Sequence, residues 1–213
     1  MGNTKYILFD AANTLIHKPE LWTKLQAVLK EAGYDVPSGL LKKNHKLLSE
    51  CTRFPDRTSA DFYRGFNAEL LYSLGILPSE KLLDAVFSSC TYLEWERFED
   101  TAALDSLDIP LGVLSNFNRS LKGLLEKKFG PLFRDVIISE EAGYGKPDLR
   151  FYEAALAAAG CRAEEILYIG DSPKLDVEPA LKAGMRTLLI DRDNVYPLVK
   201  NRITSIAELV VYL

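Results

Sequence analysis

Tyr6-Ile7-Leu8-Phe9 is a continuous apolar run bounded by polar residues, the pattern of a strand buried on both faces of a parallel sheet. Ile109 to Leu114, Val136 to Ile138 and Ile166 to Ile169 repeat it, and Thr187 to Ile190 follows a helix that ends near Gly184. Helical spacing fills the gaps at Leu121 to Phe129, Arg150 to Ala159 and Val177 to Ala183. Strands alternating with helices predict βαβ crossovers and an α/β fold with an open, doubly wound parallel sheet. The tail Ile203-Thr-Ser-Ile-Ala-Glu-Leu reads as a short strand, a Ser205 N-cap with Glu208 three residues on, and a closing helix.

Between about Pro19 and Cys90 the alternation stops. Leu21, Leu25, Val28 and Leu29 recur at helical spacing, as do Leu40, Leu41, Leu47 and Leu48. Phe62, Phe66, Leu70 and Leu71 follow, then Leu82, Leu83, Val86 and Phe87, with Gly33, Phe54-Pro55-Asp56 and Leu77-Pro78-Ser79 as punctuation. Four amphipathic helices inserted after the first strand are predicted, with residues 17–91 as one helical domain and residues 1–16 and 92–213 as the α/β domain. Aromatic residues on these helices are read as core.

Composition narrows the classes. The 213 residues suffice for one domain with a modest insertion, and 47% hydrophobic with 26% charged content is ordinary for a globular protein. A net charge of −4 and scattered basic residues predict neither a nucleic-acid nor a membrane partner. Cys51, Cys90 and Cys161 are odd in number, far apart and in no C-x-x-C pair, which argues against a disulfide framework or zinc site. They are expected to be buried small hydrophobes in a reducing compartment. The first apolar run is too short for a signal peptide or membrane span, and Tyr6 stands where a myristoylation signal at Gly2 wants Ser or Thr. A cytoplasmic location is expected.

Four stretches past the carboxyl ends of predicted strands carry candidate chemistry, at the edge where open α/β sheets bind ligands. Asp10 heads Asp10-Ala11-Ala12-Asn13-Thr14-Leu15; a charge at a strand's mouth can attack an electrophile or hold a metal, although a helix N-cap explains it equally well. In Gly112-Val113-Leu114-Ser115-Asn116, a hydroxyl at a strand end followed by a helix start offers its own donor and free backbone N–H groups to an anion. Lys146 lies in the glycine-rich Gly143-Tyr-Gly-Lys-Pro-Asp148, where a fixed ammonium can neutralise a phosphate and an attacking carboxylate; an exposed turn lysine is the plain alternative. Asp171 and Asp176, five residues apart in Gly170-Asp-Ser-Pro-Lys-Leu-Asp176, suit a hard cation that wants oxygen ligands. Capping alone would account for Asp176 but hardly for Asp171 on its strand end as well.

In this order and spacing the four stretches resemble the motifs of the haloacid dehalogenase (HAD) superfamily, whose Rossmann-like core and inserted helical cap match the whole chain. The chain looks closest to the branch holding the type-three HAD-like hydrolase domain proteins. The resemblance implies a phosphatase-type hydrolase acting on a small phosphorylated substrate, with Asp10 as nucleophile forming an aspartyl-phosphate and Mg2+ as cofactor. It implies that Ser115, Asn116, Thr14 and Lys146 bind the substrate, and that Ser115 and Lys146 also serve catalysis. Asp10, the backbone carbonyl of Ala12, Asp171 and Asp176 are implied as metal ligands. Which of Trp22, His45, Arg53, Arg57 and Tyr63 selects the substrate is not legible, nor is the oligomeric state.

One position departs from the family pattern. Phosphatases of the superfamily carry a second aspartate two residues after the nucleophile, where this chain has Ala12. Losing a positioned acid–base costs about 10²–10⁴ in rate. Three outcomes follow: a phosphatase for substrates whose leaving group needs little protonation, with His17 a possible deputy; a C–P-cleaving enzyme resembling phosphonoacetaldehyde hydrolase, with Lys42 as the amine, or a dehalogenase of halogenated acids; or a phosphate-binding regulatory protein of low activity.

Overall fold

The computed structural model describes residues 4–213, so Gly2 lies outside the described residues. Every predicted apolar run forms a strand. The chain runs β1 (Tyr6–Phe9), β2 (Ile16–His17), α1 (Glu20–Glu31), α2 (Ser38–Cys51), α3 (Ala60–Ser73), α4 (Glu80–Cys90), β3 (Glu96–Arg97) and β4 (Leu111–Ser115). It continues α5 (Ser120–Phe129), β5 (Phe133–Ile138), α6 (Ser139–Ala142), α7 (Leu149–Ala159), β6 (Ile166–Gly170), α8 (Glu178–Lys182), β7 (Arg186–Ile190) and β8 (Arg202–Ile203).

Six strands form one parallel sheet in the order β5-β4-β1-β6-β7-β8. The order reverses direction at β1, where Phe9 lies abreast of Val113 on one side and Ile169 on the other. The residues just past β1, β4 and β6 therefore emerge at one edge, the topological switch point of an open sheet. Tyr6, Leu8, Leu114, Ile166 and Tyr168 on the strands share a buried core with Phe151, Tyr152 and Ala155 of α7. The α/β architecture with an open parallel sheet read from the sequence is the one observed.

Residues up to His17 together with Glu96–Leu213 form one compact unit, and Lys18–Trp95 form the other. The boundaries differ from the expected 17–91 because β2 and β3 make a short antiparallel ribbon, Ile16 opposite Arg97 and His17 opposite Glu96. His17 lies flat on Phe98, ring centroids 4.0 Å apart. Two-residue strands have too few positions to show a period. The helical unit buries Leu25, Leu29, Leu41, Leu70, Leu71, Leu82, Leu83 and Val86 in its own core. Its aromatic residues contact one another: Phe66 meets His45 and Phe54 edge-on, and burial pushes His45 down to about 4.

Three expectations are corrected. None of the cysteines is fully buried, because Cys51 and Cys90 end helices and Cys161 follows the Gly160 helix stop, so all three lie at the periphery; all are free thiols. The helix expected over 177–183 opens instead with a π turn, Pro173–Val177, that runs into α8. The closing helix is a 3₁₀ helix, Ile206–Val211, with Ser205 and Glu208 forming the capping box.

A 3₁₀ helix, Glu99–Ser106, follows β3 and carries Asp100. Its carboxylate accepts from Arg192 Nη1 and Nη2 at 2.6 and 3.0 Å, from the Ser205 hydroxyl at 2.8 Å and from the Ile206 N–H at 2.8 Å. Burial works against that charge, but the four donors hold the carboxyl below its ordinary value. A depressed folded pKa stabilises above the unfolded value, ~4, and the stabilisation disappears as pH falls through the folded value. Asp100→Asn is therefore expected to lower Tm at pH 7 and to converge with the parent chain as pH drops below about 4; thermal melts across pH 2–7 check it.

Candidate active site

Asp10 is the first residue past β1, and its N–H donates to the Ile169 carbonyl at 2.8 Å, extending the β1–β6 pairing to the sheet's edge. The chain then turns sharply. The Ala11 carbonyl accepts from Thr14, Leu15 and Ile16 at 3.3, 2.9 and 3.0 Å, and Asn13 adopts φ 60°, a left-handed conformation that asparagine tolerates. Ala12 bridges to Ile16 at the rim of this loop.

The polar side chains converge on a buried ammonium. Lys146 Nζ donates to Asp10 Oδ1 at 2.7 Å and to Asp176 Oδ1 at 2.7 Å. The Ser115 hydroxyl donates to the same Asp10 oxygen at 3.0 Å. Tyr168 donates to Asp176 Oδ1 at 2.8 Å, and the Ser172 N–H reaches its other oxygen at 2.9 Å. Asp10, Lys146 and Asp176 are 6%, 8% and 1% exposed, so these charges interact with little water between them.

Burial sets the protonation equilibria. It lifts the Asp10 carboxyl; Lys146 opposes the rise, Asp176 and Asp171 add to it, and the group comes to about 6. Burial alone would lower Lys146, but Asp10 and Asp176 hold its ammonium above the ordinary value. Burial and Asp176 raise the Tyr168 phenol well above its own. Lys146 is thus a fixed cation and Tyr168 a fixed donor.

Close approach of backbone makes this possible at two glycines. A Cβ on Gly170 would stand 2.5 Å from the Cβ and Oδ2 of Asp176, so only glycine lets that carboxylate lie against the end of β6. A Cβ on Gly145 would stand 2.5 Å from Asn116 Oδ1. That atom accepts from the Lys146 N–H at 2.7 Å while Asn116 Nδ2 donates to the Lys146 carbonyl at 2.9 Å. The side chain of Asn116 therefore clamps the lysine loop to the end of β4.

Asp10, Ser115, Lys146 and Asp176 are brought together, and Asp171 joins them: Asp10, Asp171 and Asp176 each offer a carboxylate oxygen within 4.8 Å of the others. Three carboxylates, two of them buried and Asp171 half-buried, converge there, and an all-oxygen donor set of that charge fits a divalent hard cation. Capping accounts for only one oxygen of Asp176, which takes the Ser172 N–H while Ser172 accepts the Leu175 N–H at 2.8 Å; the other oxygen accepts from Lys146 and Tyr168.

Other expectations fare differently. Asn116 spends its amide oxygen and one of its two amide hydrogens on the backbone of Lys146, so it serves first as a clamp on the lysine loop. Thr14 has no exposed surface and its hydroxyl meets no hydrogen-bond partner, so it does not present itself to a ligand arriving from solvent. The anion-facing N–H groups expected after Ser115 are largely taken, because α5 begins only at Ser120. Phe117, Arg119 and Ser120 donate instead to Ser139, Glu140 and Asn118. Lys42 lies over the Trp22 ring, 6.0 Å from its centroid.

Sequence reasoning missed Tyr168 and Arg192. Tyr168 reads as one more apolar strand position, and its alternation within β6 is the only hint that it shares a face with the core. Arg192, past β7, donates to the Thr14 carbonyl at 3.1 Å while holding Asp100, and its guanidinium stacks on Phe98 at 3.8 Å. It ties the Asp10 loop to the Asp100 network.

The family model of haloacid dehalogenase-like hydrolases matches residues 4–184. Glyceraldehyde 3-phosphate phosphatase of Methanopyrus kandleri is 40% identical over 207 residues, covering 88% of this chain and 84% of that protein. The glyceraldehyde 3-phosphate phosphatase of Methanocaldococcus jannaschii is 38% identical over 89 residues, 41% of this chain and only 39% of that protein's length. Among solved structures, the HAD-hydrolase YfnB of Bacillus subtilis bound to magnesium superposes with a TM-score of 0.68 at 18% identity, covering 100% of this chain and 99% of that one. At that identity the likeness is one of fold. Among the described residues no helix is long and apolar enough to cross a membrane.

Lys146→Met removes the ammonium from between two buried carboxylates with little change of volume. Unfolding free energy at pH 7 in the presence of EDTA is expected to fall by about 3–5 kcal/mol. Urea titration checks it, and a divalent cation in place of EDTA should restore part of the loss.

Proposed function

This chain belongs to the haloacid dehalogenase-like hydrolases, and from that premise we propose that it hydrolyses small phosphorylated metabolites through an aspartyl-phosphate on Asp10. The observation that carries the reading is the single ammonium of Lys146 held at 2.7 Å from both Asp10 and Asp176. A carboxylate attacking a phosphate brings two anions together, and a fixed cation already bonded to the nucleophile lowers that repulsion. The named phosphatases among its relatives support the same chemistry.

In this reading the carboxylate of Asp10 attacks phosphorus and the leaving oxygen departs. Ser115 and Lys146 orient Asp10 and donate to phosphoryl oxygens. Asp10, Asp171, Asp176 and the Ala12 carbonyl would hold Mg2+, which when bound supplies further charge neutralisation between nucleophile and phosphate. Tyr168 and the Ser172 N–H fix Asp176, and Asn116 fixes the lysine loop. Metal-free dehalogenation would leave the three-carboxylate cluster without a role, so that alternative is set aside. The protein acts in the cytoplasm on this reading, with neither nucleic acid nor membrane as partner.

With p-nitrophenyl phosphate as probe, product should form with Mg2+ and stop in EDTA. Asp10→Asn, which keeps the shape but removes the nucleophile, should lose at least ~10³ in rate, the scale on which single nucleophile deletions act. Equal rates for Asp10→Asn and the natural chain would refute the covalent route.

A further inference from the structure

Covalent hydrolysis at Asp10 has two halves, and each moves a proton at a different oxygen. Forming the aspartyl-phosphate breaks the bond from phosphorus to the leaving oxygen, which takes the electron pair and is protonated unless it is a weak base. In the second half water bonds to phosphorus, the Asp10 carboxylate departs with the electron pair, and the protons of that water pass to inorganic phosphate and solvent. The first half wants an acid; the second wants a base.

Among the described residues of the α/β unit, no side chain bonded to Asp10 supplies either. The side chains bonded to Asp10 are Ser115 and Lys146. The lysine ammonium has its N–H groups held by two carboxylates and no lone pair to accept another proton; the serine hydroxyl already donates its proton to Asp10. The Tyr168 hydroxyl donates to Asp176. At the rim of the nucleophile loop Ala12 presents only a methyl group, and His17 farther along is stacked face to face on Phe98. Asp171 and Asp176 are the carboxylates assigned above to the cation.

From this side-chain inventory we propose, resting on the hydrolase reading above, that the phosphorylated form of Asp10 is the long-lived species in turnover. The substrates are then phosphates of weakly basic leaving groups: acyl, enol or aryl phosphates. Such groups leave as their own anions, so the missing acid does not slow the first half-reaction. The attack of water is slowed for every substrate alike, because the aspartyl-phosphate is the same whatever donated the phosphoryl group. A missing general base costs about 10²–10⁴ in rate.

Rapid-quench kinetics with p-nitrophenyl phosphate and Mg2+ test this. The natural chain should release a burst approaching one p-nitrophenolate per Asp10, followed by slow turnover. Intact-mass measurement on the quenched protein should show one added phosphoryl group, absent in Asp10→Asn. Acetyl phosphate should give the same steady-state rate, and a simple alkyl phosphate should give no burst and a much lower rate. Ala12→Asp should abolish the burst and raise steady-state turnover by ~10²–10⁴-fold. Linear release from the first turnover in the natural chain, or comparable rates for aryl and alkyl phosphates, overturns the inference. Product from Ala12→Asp without a burst from the natural chain overturns it alone, whereas no product from either chain overturns the hydrolase reading itself.

Discussion

One buried ammonium organises this protein's chemistry. Lys146 sits between two carboxylates from different strand ends, with almost no water around it. Lys146 opposes the burial that lifts the Asp10 carboxyl, and the two carboxylates hold the lysine charged against the same burial. The three groups are a single electrostatic unit. Everything else at the sheet's edge holds one of its members in place: Asn116 grips the lysine's backbone, Tyr168 and Ser172 grip Asp176, and Ser115 steadies Asp10.

The fold assembles that unit by bringing the ends of β1, β4 and β6 together at the switch point, with the Lys146 loop fastened to the end of β4 through Asn116. Gly170 shows how tight the fit is, since a single methyl group there would occupy the space of the Asp176 carboxylate. On the far side of the Asp10 loop, Arg192 links the Thr14 carbonyl to Asp100 and through it to the C-terminal 3₁₀ helix. The loop that carries Asp10 is thus held from both sides. Such rigidity suits a site that works by preorganised charge.

Much of this was legible in the chain. Buried parallel strands read as unbroken apolar runs, so β1, β4, β6 and β7 were visible directly, and the four cap helices announced themselves by leucine and phenylalanine spacing. Asp10, Lys146, Asp171 and Asp176 stood out through the order and spacing of four stretches taken together, since singly a helix N-cap or an exposed turn lysine explained Asp10 and Lys146 as well. The β2–β3 ribbon was invisible, because two residues cannot display a period, and with it went the true boundary of the helical unit. The peripheral cysteines were misplaced because cysteine's usual burial says nothing about a helix end.

The sequence alone determined which residue types stand at each strand end, and so which charges the site contains and that Ala12 brings none. Only the tertiary structure decided how those charges pair. Hydrogen bonds across 30 to 136 residues of chain, from Asn116 to Lys146 and from Lys146 to Asp10, have no local signature. For the same reason Asn116 turned out to be a clamp, Thr14 a wholly buried residue, and Tyr168 and Arg192 members of the site's framework. Side-chain roles at this edge are set by distances in space, and those follow from strand order and register rather than from neighbours in the chain.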